Sequence, residues 1–173
     1  MAALSPMMAQ YMATKEEYSD CLLFFRLGDF YEMFFDDAIL VSKELEITLT
    51  GKECGLEERA PMCGVPYHSV DAYLQRLVEK GYKVAIAEQM EDPKLTKGLV
   101  KREVVKIVTP GTLTSDANLI EDKNHFLLSL VYNSGRFGIC AVDISTGDFY
   151  VTEAENLRTL YDELSKYYPS EII

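Results

Sequence analysis

Histidine is scarce: His68 and His125 are the only two in 173 residues. No serine sits in a GxSxG elbow either, so a Ser-His-acid hydrolase site has no support. The four cysteines, Cys21, Cys54, Cys63 and Cys140, form no CxxC pair, and a zinc site is not expected from them. Reduced, mostly buried thiols of a cytosolic protein are the plainer reading. No GxxxxGK[ST] occurs, and Gly51-Lys52 lacks a glycine-rich run before it, so these residues carry no Walker A phosphate loop. No apolar run is long enough for a membrane-spanning helix. The first residues, MAALSPMMAQYMATKEE, have neither the basic start nor the apolar centre of a secretory signal.

Positive charge is also short. Lys and Arg number 17 against 28 Asp and Glu, a net charge of −11, which opposes nucleic-acid binding through electrostatics alone. The distribution is uneven. Lys94, Lys97, Lys101, Arg102 and Lys106 gather against Glu103 alone. A solvated loop and strand edge is the plain reading of that segment.

With 48% hydrophobic and 26% charged residues, the chain reads as soluble and globular: one domain, or a small domain plus part of another. Ser5-Pro6 followed by Met7, Met8, Tyr11 and Met12 at helical spacing predicts a helix over 6–19. Cys21 to Leu27 predicts a strand, Gly28-Asp29 a tight turn, and Phe30 to Glu32 a short extended piece. Asp36 or Asp37 is expected to open a second helix with Ala38, Leu40, Val41 and Leu45 facing inward. A short strand is expected at 47–50, then a long glycine- and proline-containing loop at 51–68. Ser69 is expected to cap a third helix, with Tyr73, Leu74, Leu77 and Val78 inward and Gly81 as its stop. Strands follow at 82–90 and 100–108. After Thr109-Pro110-Gly111-Thr112 a polar stretch reads as a linker. Beyond it comes a meander (126–132, 137–143, 148–152), a helix over 156–167 ended by Pro169, and a further strand starting at Glu171. Three strands and one helix are an incomplete core, which leads to the expectation of a fragment.

Two sets of residues could carry chemistry. Asp143 and Asp148 flank a turn between strands. They read as turn organisers, or as carboxylates of an RNase H-like metal nuclease. The stretch LGDFYEMFFDD places Phe30 and Glu32 on one face of an extended segment and Tyr31 on the other. A ring beside a carboxylate is a poor core arrangement and a reasonable one for a wedge with a hydrogen-bonding neighbour; core packing is the alternative.

Three longer stretches, LLFFRLGDFYEMFFDDA, APMCGVPYHSVDAYLQRLVEKGYKVAIAEQMEDP and REVVKIVTPGT, resemble the N-terminal part of the bacterial MutS family of DNA mismatch-recognition proteins. The similarity covers nearly the whole chain. It implies an α/β fold: a mixed-sheet mismatch-recognition domain over 1–109, a linker over 110–121, and the start of an RNase H-like connector domain without nuclease activity over 122–173. It implies that Phe30 is a wedge against a mispaired base and that Glu32 is its hydrogen-bonding partner. Lys52 and Met62 would be further DNA contacts, on the loop after the third strand and on the PMxGxP loop. Gly51-Lys52 departs from the Lys-Arg of the family. The resemblance also implies no catalytic residue, metal or cofactor in these residues, with ATP and Mg in an ATPase domain beyond residue 173. The partners it implies are mismatched double-stranded DNA, a second copy of the chain and a MutL-type repair protein, with a cytoplasmic, nucleoid-associated location and no membrane. A protein-interaction module is the competing reading.

Overall fold

Ser5 accepts a hydrogen bond from the Met8 N–H at 3.4 Å and Pro6 takes the first helical position, so α1 runs Pro6–Glu17. Met8 and Tyr11 are its buried side chains, while Met12, expected beside them, is exposed. The computed structural model describes residues 3–91, 96, 98–113 and 124–173. They fall into two units, Met1–Val108 and Thr109–Ile173. Lys94 and Lys97 of the basic segment, and 114–121 of the expected linker, lie outside the described residues.

The first unit is built on a six-stranded mixed sheet ordered β3-β4-β2-β1-β5-β6. β1 (Leu22–Leu27) and β2 (Phe30–Phe34) form an antiparallel hairpin over the two-residue turn Gly28-Asp29. Gly28 has φ +59°, which costs glycine little. β1 pairs in parallel with β5 (Val84–Gln89), and β6 (Arg102–Val108) lies antiparallel at the edge. α1 covers part of one face: Met8 and Tyr11 join Leu23, Phe25, Phe34, Ala85 and Ala87 in one apolar cluster. Tyr11 meets Phe25 and Phe34 edge-on at 5.4 and 4.9 Å. α2 (Phe35–Leu45) and α3 (Val70–Val78) bury Ala38, Val41, Leu45, Leu74, Leu77 and Val78. Gly81 follows α3 at φ +88°, as expected of a helix stop.

The structure departs from the sequence reading at several points. α2 begins at Phe35 without a side-chain cap. Asp37 is drawn inward instead, where it accepts from the Leu23 N–H at 2.9 Å and the Tyr11 hydroxyl at 3.3 Å and pairs with Lys15 at 3.0 Å. Leu40 and Tyr73 are half-buried rather than core. Ser69 precedes α3, but its hydroxyl donates back to the Pro66 carbonyl. β3 is Thr50–Lys52, not 47–50. The largest correction is the expected loop at 51–68. It holds β4 (Ala60–Pro66), a strand inside the sheet paired with β2 on one side and β3 on the other. Its buried residues Ala60, Cys63 and Val65 anchor it, and a short 3-10 turn, Tyr67–Ser69, follows. Arg102 also leaves the expected solvated stripe: it is buried, with its guanidinium on the carbonyls of Arg26 and Val100 and on the Gln10 side chain.

The second unit has a four-stranded sheet ordered β10-β7-β8-β9. β7 (Phe126–Asn133), β8 (Arg136–Asp143) and β9 (Asp148–Ala154) form the expected meander, and β10 (Glu171–Ile172) runs parallel to β7. The β7–β8 turn has positive φ at both Ser134 and Gly135, the geometry that matches strand twist. α4 (Leu157–Tyr167) is capped by Asn156, whose side chain accepts from the Thr159 N–H, and lays Leu160, Leu164 and Tyr167 against Phe126, Leu128 and Ile139. Residues 109–112 fold into a turn, and the Gly111 N–H donates to Glu171 at 3.1 Å.

The cysteines are free thiols, with Cys21, Cys54 and Cys63 buried and Cys140 half-buried. Burial pushes the Cys63 thiol up to about 12, and its Sγ lies 3.4 Å from the Ala38 carbonyl. A maleimide or iodoacetamide pulse at pH 8 is therefore expected to modify Cys140 first and to leave Cys63 unreacted until unfolding, read by peptide mass. Rapid native labelling of Cys63 would contradict this packing.

Candidate nucleic-acid interface

The β1–β2 turn carries Phe30 as the first residue of β2, opposite Leu27 on β1 and Pro66 on β4. The residue is 47% exposed, unusual for a phenylalanine in a central strand. Alternation sends Tyr31 to the opposite face, where it is buried and its hydroxyl donates to Glu88. Burial, and then that bond, push the Tyr31 hydroxyl up to about 12, so it stays a donor.

The turn is held from several sides. Arg26 lies 3.8 Å from the centre of the Tyr67 ring and 5.4 Å from that of Tyr31. Its Nε donates to the Gly28 carbonyl, and the Tyr67 N–H donates to the Asp29 carbonyl at 3.0 Å. The turn is thus tied to a side chain of its own strand β1 and to the 3-10 turn that follows β4. His68 is exposed and meets Tyr67 edge-on at 5.8 Å.

Strand register defines the rest of the face. Phe30 pairs with Pro66, Glu32 with Gly64, Phe34 with Met62, and Lys52 with Ala60. Period-two alternation therefore puts Phe30, Glu32, Met62 and Lys52 on one side of the sheet. All four residues singled out from the sequence share this face, although Lys52 and Met62 stand on strands rather than loops. Met62 is half-buried and packs against the apolar cluster under α1. Glu32 lies over Gly64: a Cβ there would sit 3.5 Å from the Glu32 Cγ and 3.3 Å from the Tyr31 carbonyl. The carboxylate reaches across β4 to Lys52, with Nζ to Oε2 at 2.5 Å. Arg102 adds a second positive charge on this side; burial lowers its pKa, and the field of Glu32 raises it.

Sequence reasoning missed the Lys52–Glu32 pair and the close strand approach at Gly64, and it left Arg102 in a solvated stripe. Gly64 in APMCGVP was the available signal, since glycine inside a strand marks a close approach. Nothing local pointed to Arg102.

Asp143 is a separate matter. It is fully buried, and Oδ1 accepts from the Ser145 N–H at 2.9 Å, the Ser145 hydroxyl at 2.6 Å and the Thr146 N–H at 3.3 Å. Oδ2 accepts from the His125 N–H at 3.1 Å. The carboxylate is occupied in closing the β8–β9 turn, and no cluster of three His, Cys, Asp or Glu residues able to hold a metal occurs among the described residues. The turn reading fits this geometry; a nuclease reading would have to break it.

Comparison with known proteins agrees with both units. The profile described as MutS domain I matches residues 5–117, and MutS domain II matches residues 125–173. The chain is 62% identical over 173 residues to the DNA mismatch repair protein MutS of Lachnoclostridium phytofermentans, covering 100% of this chain and 19% of that protein. It is 61% identical over 176 residues to that of Acetivibrio thermocellus, and 56% identical over 174 residues to that of Caldanaerobacter subterraneus, covering 20% of each. It thus spans about a fifth of the length of these relatives. Two profiles of one family laid end to end, and relatives aligned along the whole chain, place this chain in the MutS family.

Proposed function

We propose that the first unit recognises mismatched DNA by probing how easily a base step opens. The observation that carries this reading is the exposed Phe30 ring on a braced turn, beside Glu32 on the same face. A wedge of this kind enters the minor groove, unstacks a step and kinks the duplex. Unstacking costs on the order of a few kcal/mol, and less where pairing is already faulty. Stacking of Phe30 on one mispaired base returns ~1–3 kcal/mol without depending on which base it is. That suits a sensor of many mismatches.

Glu32 supplies discrimination. It accepts a hydrogen bond from the displaced base. On a matched duplex that bond is not made, and the carboxylate is left facing phosphates. The acidic net charge is no obstacle, because phosphate contacts can come from other parts of a longer protein. In that longer protein, ATP and Mg would be held beyond residue 173, a second copy would complete a dimer, and a MutL-type protein would be the repair partner in the cytoplasm. These residues would then recognise rather than catalyse. Among the described residues no helix is long and apolar enough to cross a membrane.

The test is a titration of full-length protein into matched and G·T-mismatched duplexes at one salt concentration, with Glu32→Ala in parallel. Wild type is expected to prefer the mismatch. Glu32→Ala is expected to keep mismatch affinity within about tenfold while losing most of the preference. Equal behaviour of the two proteins on both duplexes would remove Glu32 from the account.

A further inference from the structure

The geometry points to Lys52 as the residue that positions Glu32 for base recognition, acting through the carboxylate rather than as a phosphate contact alone. We infer that it holds Oε2 in place, sets a positive charge against the carboxylate beside DNA, and leaves Oε1 for the base. This rests on the role of Glu32 proposed above. Three observations support it. The Lys52 ammonium is bonded to Oε2, and no other hydrogen-bond partner of the Glu32 carboxylate is found among the described residues. Gly64 is the strand position opposite Glu32, and the Glu32 stem passes over it at van der Waals distance on the way to Lys52. The pair is also partly withdrawn from water, with side-chain exposures of 17% for Glu32 and 35% for Lys52, and Lys52 Nζ lies 5.7 Å from the Phe34 ring centre.

The physical need is plain. A lone carboxylate in a minor groove meets phosphates on both sides, and an adjacent ammonium offsets that repulsion. A long glutamate side chain also has rotamers to lose. Fixing one oxygen before DNA arrives removes that cost from the binding step. An exposed ion pair would do little for either purpose, but this one is half-buried and close to the wedge.

A double-mutant cycle tests the assignment. Full-length wild type, Lys52→Met, Glu32→Ala and the double variant are titrated with matched and G·T-mismatched duplexes at two salt concentrations, with Lys52→Arg as the conservative control. Lys52→Met keeps the stem, and its circular dichroism checks the fold. The expected result is a mismatch-over-match ratio lowered roughly fivefold to tenfold in Lys52→Met, the order of one charge-assisted bond. The ratio should be restored in Lys52→Arg and unchanged by Lys52→Met once Glu32 is Ala. Equal weakening on both duplexes in both backgrounds, with a shallower salt slope, would make Lys52 a phosphate contact only and overturn the inference. If Glu32→Ala alone leaves the ratio at the wild-type value, the failure lies in the base-recognition reading and the inference falls with it.

Discussion

Phe30→Ala is expected to abolish the preference for mismatched DNA while leaving the fold intact. Phe30 is 47% exposed, so its truncation leaves no enclosed cavity. Stacking of one base on one ring accounts for roughly a 5- to 150-fold change in affinity, and the variant should lose about that on mismatched duplex and little on matched duplex. Phe25→Ala makes the contrast. Phe25 is fully buried beneath Tyr11 and Arg102, and its truncation is expected to cost about 3–5 kcal/mol of stability. Thermal melts of both variants beside duplex titrations separate the cases. A melting temperature for Phe30→Ala that drops as far as that of Phe25→Ala would return Phe30 to the core and favour an interaction module.

The second large effect is expected at Asp143. Asp143→Ala leaves the N–H groups of His125, Ser145 and Thr146 without their acceptor, at a cost of about 3 kcal/mol to the second unit. Asp143→Asn keeps one acceptor oxygen and should cost less. The acid dependence has a defined sign. Burial raises the Asp143 carboxyl, but the bonds from Ser145, His125 and Thr146 outweigh it and hold the folded value below the ordinary one. Its stabilising contribution is therefore complete above the unfolded value near ~4 and is lost as pH falls through the folded value. Urea melts of the wild type should weaken below that pH, and Asp143→Ala should weaken less steeply there. Unchanged stability in Asp143→Ala, together with metal-dependent cleavage in wild type that vanishes in Asp143→Asn, would reinstate the nuclease reading.

How far the sequence could be read depended on how local each signal was. The Gly28-Asp29 turn, the opposed faces of Phe30 and Tyr31, and the meander of the second unit were all legible, because two-residue turns and period-two alternation act over a few residues. β4 was not legible. Pro61, Gly64 and Pro66 are loop residues by propensity, and what makes them a strand is pairing with β2, some thirty residues earlier. Pro66 closes the strand, and Gly64 sits where a Cβ would come within 3.3 Å of the Tyr31 carbonyl, so the apparent loop residues suit register and clearance. The Lys52–Glu32 pair was hidden for the same reason. Each residue looked like a separate contact until the order β3-β4-β2 brought them together.

The position of β2 between β1 and β4 has a mechanical consequence. If Phe30 acts as the proposed wedge, the resistance of a base step is passed to β2, and part of it acts along that strand. β2 is hydrogen-bonded along both edges, so the ladders to β1 and β4 would share that part of the load in shear instead of opening one by one from an end. A residue at the tip of a free loop would yield and report nothing about the duplex. Mounted on an interior strand, a Phe30 wedge would be the stiffer partner, and the DNA would be the one to bend.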